Sequence, residues 1–482
     1  MPRRTKIVAT VGPATDDPSV MDALIAAGVD VVRVNCSHGS HEENLRRVET
    51  IRNRARASGR QVGVLLDLQG PKIRTERFAE GPVYLTEGDS FVLDAAMATD
   101  AGDRNGVGVT YKNLPNDVAR GDTLLLDDGA IVLWVEGVEG TVIRCRVEQG
   151  GTLSNNKGIN RLGGGLSAGA LTDKDREDIR FAAEIEADYM AVSFPRNGDD
   201  IREARDLLRA AGGTGDLIAK VERAEALDNI EDILEATDVV MIARGDLGVE
   251  LGDAELPAIQ KRLISLSRQR NRIVITATQM MHSMVDHPVP TRAEVFDVAN
   301  AVLDGTDAVM LSAETASGHY PVQAVKAMSR ICCEAEKHRS ARVSDHRIDS
   351  VFGRVDEAIA MSAMYTANHL DVKAIAALTE SGSTVRWMSR ISSGIPIYAL
   401  TKHVSTRRKV TLYRGVYPVS FEMADADVHK ANEEAIDELL RRGAVRENDL
   451  VVMTKGDRWG VEGQTNIMRI MRVGEHRLPV LE

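Results

Sequence analysis

Cysteine is scarce in this chain, and its placement argues against two chemistries at once. The four cysteines, Cys36, Cys145, Cys332 and Cys333, show neither metal-ligand spacing nor a disulfide framework. Inert thiols in a reducing cytoplasm are the expectation. Aromatic residues make up only 4% of the sequence, and no apolar stretch approaches membrane-spanning length. The basic start, Met1-Pro2-Arg3-Arg4-Thr5-Lys6, runs into a short strand-like segment rather than the apolar core of a secretion signal. Neither a membrane nor export is expected. Positive charge is also in deficit, since 60 Lys and Arg against 72 Asp and Glu leave a formal net charge of −12. That balance argues against a nucleic-acid partner and requires a locally positive pocket for any anionic substrate. Neither a Gly-x-x-x-x-Gly-Lys-Ser/Thr loop nor a dinucleotide fingerprint occurs, so nucleotide binding would have to use scattered residues.

What is present is periodicity. A length of 482 residues favours two or three domains. Strand-like apolar runs recur at Lys6–Val11, Val29–Asn35, Val62–Leu68, Tyr189–Phe194, Leu217–Glu222, Val239–Ala243, Ile273–Thr278 and Ala308–Ser312. Amphipathic helical stretches lie between them, among them Pro18–Ala27, His41–Ala57, Asp199–Ala211 and Thr291–Leu303. Eight such alternations predict a (β/α)₈ barrel of the α/β class, spanning 1–70 and 166–340. The interval 71–165 reads differently, as short β runs separated by Gly-Asp and Asp-Asp-Gly turns, and predicts an inserted small β-barrel lid. Gly163-Gly164-Gly165 closes it, either as a flexible linker or as a hinge, and the hinge suits its place at the lid's exit. After a polar stretch, 341–482 shows a third alternation and predicts a C-terminal α/β domain that resembles a small open sheet with helices.

Polar residues gather where the apolar runs end. Positions two apart on a strand share a face, so Lys220 and Glu222 point together, and Asp246 follows the next run. One cation and two carboxylates at neighbouring strand ends suit Mg²⁺ and a phosphorylated substrate. A structural ion pair between Lys220 and Glu222 is the bland alternative. Arg33, Asn35 and Ser37 repeat the two-residue spacing, as do Thr276 with Thr278 and Ser312 with Glu314. In the C-terminal part, Thr379-Glu380-Ser381-Gly382-Ser383-Thr384 lies between a strand and a helix, and reads equally as an ordinary capped turn or as a phosphate site built from hydroxyls and a helix start.

The segments Arg33-Val34-Asn35-Cys36-Ser37-His38-Gly39, Asp67-Leu68-Gln69-Gly70-Pro71-Lys72-Ile73-Arg74-Thr75 and Met241-Ile242-Ala243-Arg244-Gly245-Asp246-Leu247-Gly248 closely resemble pyruvate kinase. So do Ile218-Ala219-Lys220-Val221-Glu222, Thr276-Ala277-Thr278-Gln279-Met280-Met281 and Met310-Leu311-Ser312-Ala313-Glu314-Thr315, in the family's order across essentially the whole chain. The resemblance implies phosphoryl transfer from phosphoenolpyruvate to ADP, giving pyruvate and ATP. It assigns Mg²⁺, with Mn²⁺ as an alternative, to Glu222 and Asp246. It assigns charge at the transferring phosphoryl group and the enolate to Lys220 and Arg33, and the substrate carboxylate to the Gly245 and Asp246 amides and Thr278. Arg74, Lys157 and His38 correspond to nucleotide ligands, and Ser312 and Glu314 to a proton or water relay. A homotetramer is implied as well.

Asn35, Ser37 and Asp67 match the family's potassium-site positions, but Lys72 stands where a glutamate accompanies potassium dependence. Its ammonium would supply the missing charge, so K⁺ is expected to be dispensable. Cys36 replaces the family's usual phenylalanine, a change expected to alter packing. Glu380 sets an anion beside Thr379, Ser381, Ser383 and Thr384, which weakens the case for a doubly phosphorylated effector and points to AMP or a sugar monophosphate. Two other readings compete: a catalytically silent metabolite sensor, which would be expected to have lost Lys220, Glu222, Asp246 or Thr278, and another phosphoenolpyruvate-using or pyruvate-using barrel enzyme, which would lack the lid and C-terminal domain. Arg244-Gly245-Asp246 also spells an adhesion tripeptide, but its position at a barrel strand's end opposes that reading.

Overall fold

The structure is a computed structural model and describes residues 2–342, 349–422, 428–457 and 462–475. Eight parallel strands close into a barrel: Lys6–Thr10, Val31–Asn35, Gly63–Asp67, Tyr189–Val192, Asp216–Val221, Val239–Ala243, Ile273–Ala277 and Ala308–Leu311. Their apolar runs are continuous rather than alternating because both faces are covered, and every residue of the first, third, sixth and seventh strands is buried. The intervening helices begin where the sequence offers caps. Ser40 with Glu43, Thr172 with Asp175 and Thr291 with Glu294 form reciprocal capping boxes. Gly28 and Gly305, at φ 110° and 98°, end two of these helices in the left-handed conformation.

Between the third and fourth barrel strands lies an all-β insert. Its hydrogen-bonded order runs from Ile159–Arg161 through Thr123–Leu126, Ile131–Glu139, Val142–Gln149 and Ser90–Asp94 to Gly106–Gly108. The segment at Ile73–Glu76 then pairs with both outer edges. Ile159 donates to Ile73 and Thr75 to Lys157 on one side, while Thr110 donates to Arg74 and Glu76 to Gly108 on the other. The sheet is thereby closed around Phe91, Leu93, Leu133, Val135 and Ile143, all fully buried. Alternation in Ile131–Glu139 follows from one face being wet.

Gly163, Gly164 and Gly165 all hold positive φ, at 81°, 77° and 93°. They form an ordered turn rather than a loose tether: Gly163 donates to the Glu250 carbonyl, Gly164 to the Arg161 carbonyl, and Gly165 to the Glu225 carboxylate. A Cβ on Gly164 would lie 2.7 Å from the Glu225 carboxylate, so a side chain there requires Glu225 to move as well as a left-handed backbone.

The C-terminal part is a five-stranded sheet in the order Val416–Ser420, Ile397–Thr401, Val372–Leu378, Leu450–Gly456 and Thr465–Arg472. The last strand is antiparallel and escapes a reading by hydrophobic pattern, because its exposed edge position breaks the alternation of burial. The barrel interior at Val8, Val31, Leu65, Val239 and Ile273 is continuous with Met388, Ile391, Val410, Leu412 and Val416 of this part. Arg390 crosses the junction and pairs with Asp307, and both side chains are 1% exposed. Asp307 precedes the eighth strand, so the C-terminal part seals the amino end of the barrel. The carboxyl end is left open for a site, as in other barrels of this type.

Candidate active site

Register brings the polar strand ends together. Thr10 is paired beside Arg33, and Asn35 beside Asp67, so these side chains meet at one rim. Arg33 Nε donates to Asp67 Oδ2 at 2.6 Å and Nη1 to Thr10 Oγ1 at 3.1 Å. Lys220 Nζ lies 3.2 Å from Asp67 Oδ1 and 3.0 Å from Glu222 Oε1, and donates to Ser193 Oγ at 2.6 Å. Glu222 Oε2 accepts the Phe194 amide at 2.9 Å. Ser193 directly follows the fourth strand and is not singled out from sequence, although the same rule of polar residues at strand ends identifies it.

This cluster is buried, and the balance of charge decides the state of each member. Burial works against ionised Asp67, but the Lys220 and Arg33 charges hold its carboxyl below the ordinary range. Burial likewise opposes a charged Lys220, but Asp67 and Glu222 keep its pKa above the usual lysine value. Glu222 goes the other way. Burial pushes it up to about 7, with Lys220 opposing and the Asp246 and Asp67 charges adding to the rise. Glu222 thus feels the Asp246 charge, although Lys220 stands 3.0 Å from Glu222 and Lys72 3.8 Å from Asp246. Their hard oxygens fit Mg²⁺ or Mn²⁺, which take one or two carboxylates and complete their shells with water and substrate oxygens. No group of three or more His, Cys, Asp or Glu side chains able to hold a metal occurs among the described residues.

Asp246 sits in the first turn of the Arg244–Leu251 helix, whose start has no side-chain cap. The Gly245 amide donates to Thr278 Oγ1 at 2.8 Å. Thr278 and Gln279 follow the seventh strand at φ 65° and 54°. The two-residue alternation therefore fails here: Thr276 Oγ1 pairs with Thr306 Oγ1 at 3.0 Å, on its own side of the strand, while the left-handed turn aims Thr278 at the helix start. Left-handed backbone at a β-branched residue costs about 1–3 kcal/mol and persists where surroundings over-determine it. At the eighth strand's end, Glu314 Oε2 accepts the Ser312 amide at 2.6 Å and Oε1 the Met281 amide at 3.4 Å. Its carboxylate braces two loops.

Arg74 and Lys157, far apart in sequence, become near neighbours across the seam that closes the insert. Arg74 bridges Gly158, and its Nη1 donates to the Asn156 carbonyl at 2.9 Å, while Lys157 Nζ pairs with Asp127 at 2.8 Å. Lys72 Nζ lies 3.8 Å from Asp246 Oδ1. Asn35 Oδ1 accepts the Ser37 amide at 3.1 Å, and the Cys36 amide donates to the Asp67 carbonyl. Exposed His38 donates its amide to the Asn35 carbonyl. Between barrel and insert, Lys72, Asn160, Arg223, Glu225, Asp246 and Glu250 line a cavity of about 20 Å³, the size of one water.

The distal loop is split. Thr379 Oγ1 accepts the Gly382 amide at 2.9 Å, an ordinary turn closure, and Thr384 Oγ1 is turned into the interior against Thr465 Oγ1 at 2.7 Å. Ser381 lines a cavity of about 610 Å³ together with Asp188, His403, Thr406, Arg408 and Lys409. Glu380 is paired with His403 at 2.5 Å.

Two family models match the chain, a pyruvate kinase barrel domain over residues 2–325 and a pyruvate kinase alpha/beta domain over residues 357–471. The chain is 57% identical to pyruvate kinase II of Salmonella typhimurium, covering 98% of this chain and 99% of that one. It is 51% identical to a pyruvate kinase of Haemophilus influenzae over the same shares. The crystal structure of a pyruvate kinase from Cryptosporidium parvum superposes with a TM-score of 0.90 at 33% identity, covering 98% of this chain and 96% of that one. Matched over nearly its whole length by such family models and relatives, the chain belongs to the pyruvate kinase family and is a phosphotransferase with that family's activity.

Proposed function

We propose that the rim around Lys220 binds phosphoenolpyruvate and drives phosphoryl transfer to ADP. The observation that carries this reading is the Lys220 ammonium, buried between Asp67 and Glu222 and kept charged by them. Lys220 and the Arg33 guanidinium hold the phosphoryl oxygens. As the bond from phosphorus to the enol oxygen breaks and a bond to the β-phosphate oxygen of ADP forms, negative charge gathers on the enol oxygen beside Lys220. Protonation at carbon then gives pyruvate, with Ser312 and Glu314 organising delivery of the proton. The Thr278 hydroxyl and the Gly245 and Asp246 amides hold the substrate carboxylate. Glu222 and Asp246 would hold Mg²⁺, which when bound would supply electrostatic stabilisation to phosphoryl and enolate oxygens. Arg74, Lys157 and His38 take the nucleotide phosphates as the insert, 71–165, closes on the barrel, 1–70 and 166–340.

Lys72 supports a reading in which K⁺ is dispensable although Asn35, Ser37 and Asp67 are retained. The cavity at Ser381 supports an effector site in the C-terminal part, 341–482, for AMP or a sugar monophosphate, with Thr379, Ser383 and Thr384 shaping the loop. A cytoplasmic homotetramer completes this reading. The test is pyruvate formation from phosphoenolpyruvate and ADP with Mg²⁺, for the native chain and Lys220→Met. Native-like turnover by Lys220→Met would overturn the assignment.

A further inference from the structure

Arg244 has no part in the roles above, yet its guanidinium is buried against the strained turn that follows the seventh strand. Nε donates to the Ala277 carbonyl at 3.3 Å, and Nη2 donates to the Thr278 carbonyl at 2.7 Å and lies 3.1 Å from Met280 Sδ. The opposite edge of the fork meets Asp297 in a two-bond pair at 2.6 and 2.8 Å, and Gln260 Oε1 at 3.2 Å. The next residue, Gly245, donates its amide to the hydroxyl of the same threonine at 2.8 Å. Thr278 is thus gripped twice from consecutive positions, at its carbonyl by the Arg244 side chain and at its hydroxyl by the Gly245 backbone. Thr278 and Gln279 are both non-glycine residues at positive φ, a conformation held by surrounding contacts rather than by local preference.

We propose that Arg244, oriented by Asp297, is a positioning residue for the substrate-carboxylate subsite. It sets the Thr278 turn against the start of the Arg244–Leu251 helix, so that the Thr278 hydroxyl and the Gly245 and Asp246 amides converge on one carboxylate. This rests on the reading of Thr278 and Gly245 as that subsite. Only a planar fork satisfies Asp297 along one edge and two carbonyls along the other, so lysine is not an equivalent. An ion pair serving stability alone would leave the handling of the two substrates alike.

The test is steady-state kinetics of the full-length protein with phosphoenolpyruvate and ADP varied separately, alongside thermal unfolding, for Arg244→Gln, Arg244→Lys, Asp297→Asn, Thr278→Ala and the double variant Arg244→Gln/Thr278→Ala. Arg244→Gln is expected to lower kcat/KM for phosphoenolpyruvate about 10- to 100-fold, the scale of a misplacement near 1 Å, while KM for ADP moves by less than about twofold. Arg244→Lys should recover little, and Asp297→Asn should give a smaller loss of the same kind. Because Arg244 acts through Thr278, the double variant should be no more than about threefold worse than Thr278→Ala. A folded Arg244→Gln with native phosphoenolpyruvate kinetics, with equal losses for both substrates, or with losses that multiply in the double variant would overturn the proposal. If Arg244→Gln fails to fold, Asp297→Asn, at a partly exposed position, decides by the same criteria. Should Thr278→Ala itself leave phosphoenolpyruvate kinetics unchanged, the carboxylate-subsite reading fails and takes the proposal with it. A cost at Thr278 with none at Arg244 or Asp297 sinks the positioning role alone.

Discussion

Lys72 Nζ stands 3.8 Å from Asp246 Oδ1, so a lysine at the root of the all-β insert reaches onto a carboxylate at the carboxyl end of the barrel. At that separation a unit pair is worth about 4 kcal/mol at an effective dielectric of 20, before discounting for solvent. Lys72 is 32% exposed, which cuts the interaction substantially. Under the proposed reading, Lys72 takes the place of a monovalent cation. The expected outcome is full turnover in potassium-free buffer with Mg²⁺. Lys72→Glu should lose about tenfold or more without K⁺, equivalent to about 1.4 kcal/mol, and regain most of it when K⁺ is added. A native chain that turns over only after K⁺ addition would reject the substitution argument.

Removing the Lys220 ammonium should cost both rate and stability, through different routes. In the proposed mechanism Lys220→Met takes one preorganised charge from the developing enolate, for an expected loss on the scale of about 10²–10³ in kcat. It also leaves the Glu222 carboxylate, 2% exposed, without its cation. Breaking a buried pair from one side costs about 3–5 kcal/mol, read as a lower urea midpoint. Arg33 still faces Asp67 in the variant, so the lower end of that range is expected.

The three glycines at the exit of the insert should not tolerate alanine equally. All three hold positive φ, which costs an L-residue about 1–2 kcal/mol. At Gly163 nothing lies within 4 Å of an added Cβ, so Gly163→Ala carries only that cost. At Gly165 the Cβ would run into the Arg161 guanidinium, which donates to Gly164 O at 3.1 Å and to Asp122 Oδ1 at 2.9 Å. Gly165→Ala is therefore expected to displace the turn and raise KM for ADP, while Gly163→Ala changes it little. Equal effects at the two positions would argue that the turn does not control closure of the insert.

Much of this architecture is legible from residues because parallel barrel strands, buried on both faces, announce themselves as uninterrupted apolar runs. The polar residues that end them have no alternative but the rim. What stayed hidden depends on contacts across long sequence separation. Ser193 is tied to Lys220, and Arg244 to Asp297, by geometry that no local period encodes. The left-handed turn at Thr278 also defeats a two-residue alternation, because threonine does not favour that conformation locally and its partners, the Arg244 side chain and the Gly245 amide, come from a distant segment. Thr384 looked like a loop hydroxyl yet faces Thr465 in the interior, since a helix start presents its second residue inward as readily as outward.

Glu250, at the junction between barrel and insert, is expected to make stability depend on pH. It is 4% exposed, and its Oε2 accepts the Ala224 amide at 2.9 Å. Burial pushes it from an ordinary 4.5 up to about 7, with the Ala224 amide and Arg223 opposing and Glu225 adding to the rise. Between those two values the folded chain keeps a proton that the unfolded chain has released. Folding is therefore favoured on the acid side, and this contribution is lost as pH rises through about 7. The full shift corresponds to about 3 kcal/mol as an upper bound. Glu250→Gln cannot ionise, so it should match the native chain within about 1 kcal/mol at pH 5 and exceed it by about 1–3 kcal/mol at pH 8. Paired urea unfolding at the two pH values measures the difference, because titrating groups remote from Glu250 cancel between variant and native chain. A gap that stays constant with pH would show that Glu250 is ionised in the folded state throughout, held so by Arg223 and the Ala224 amide.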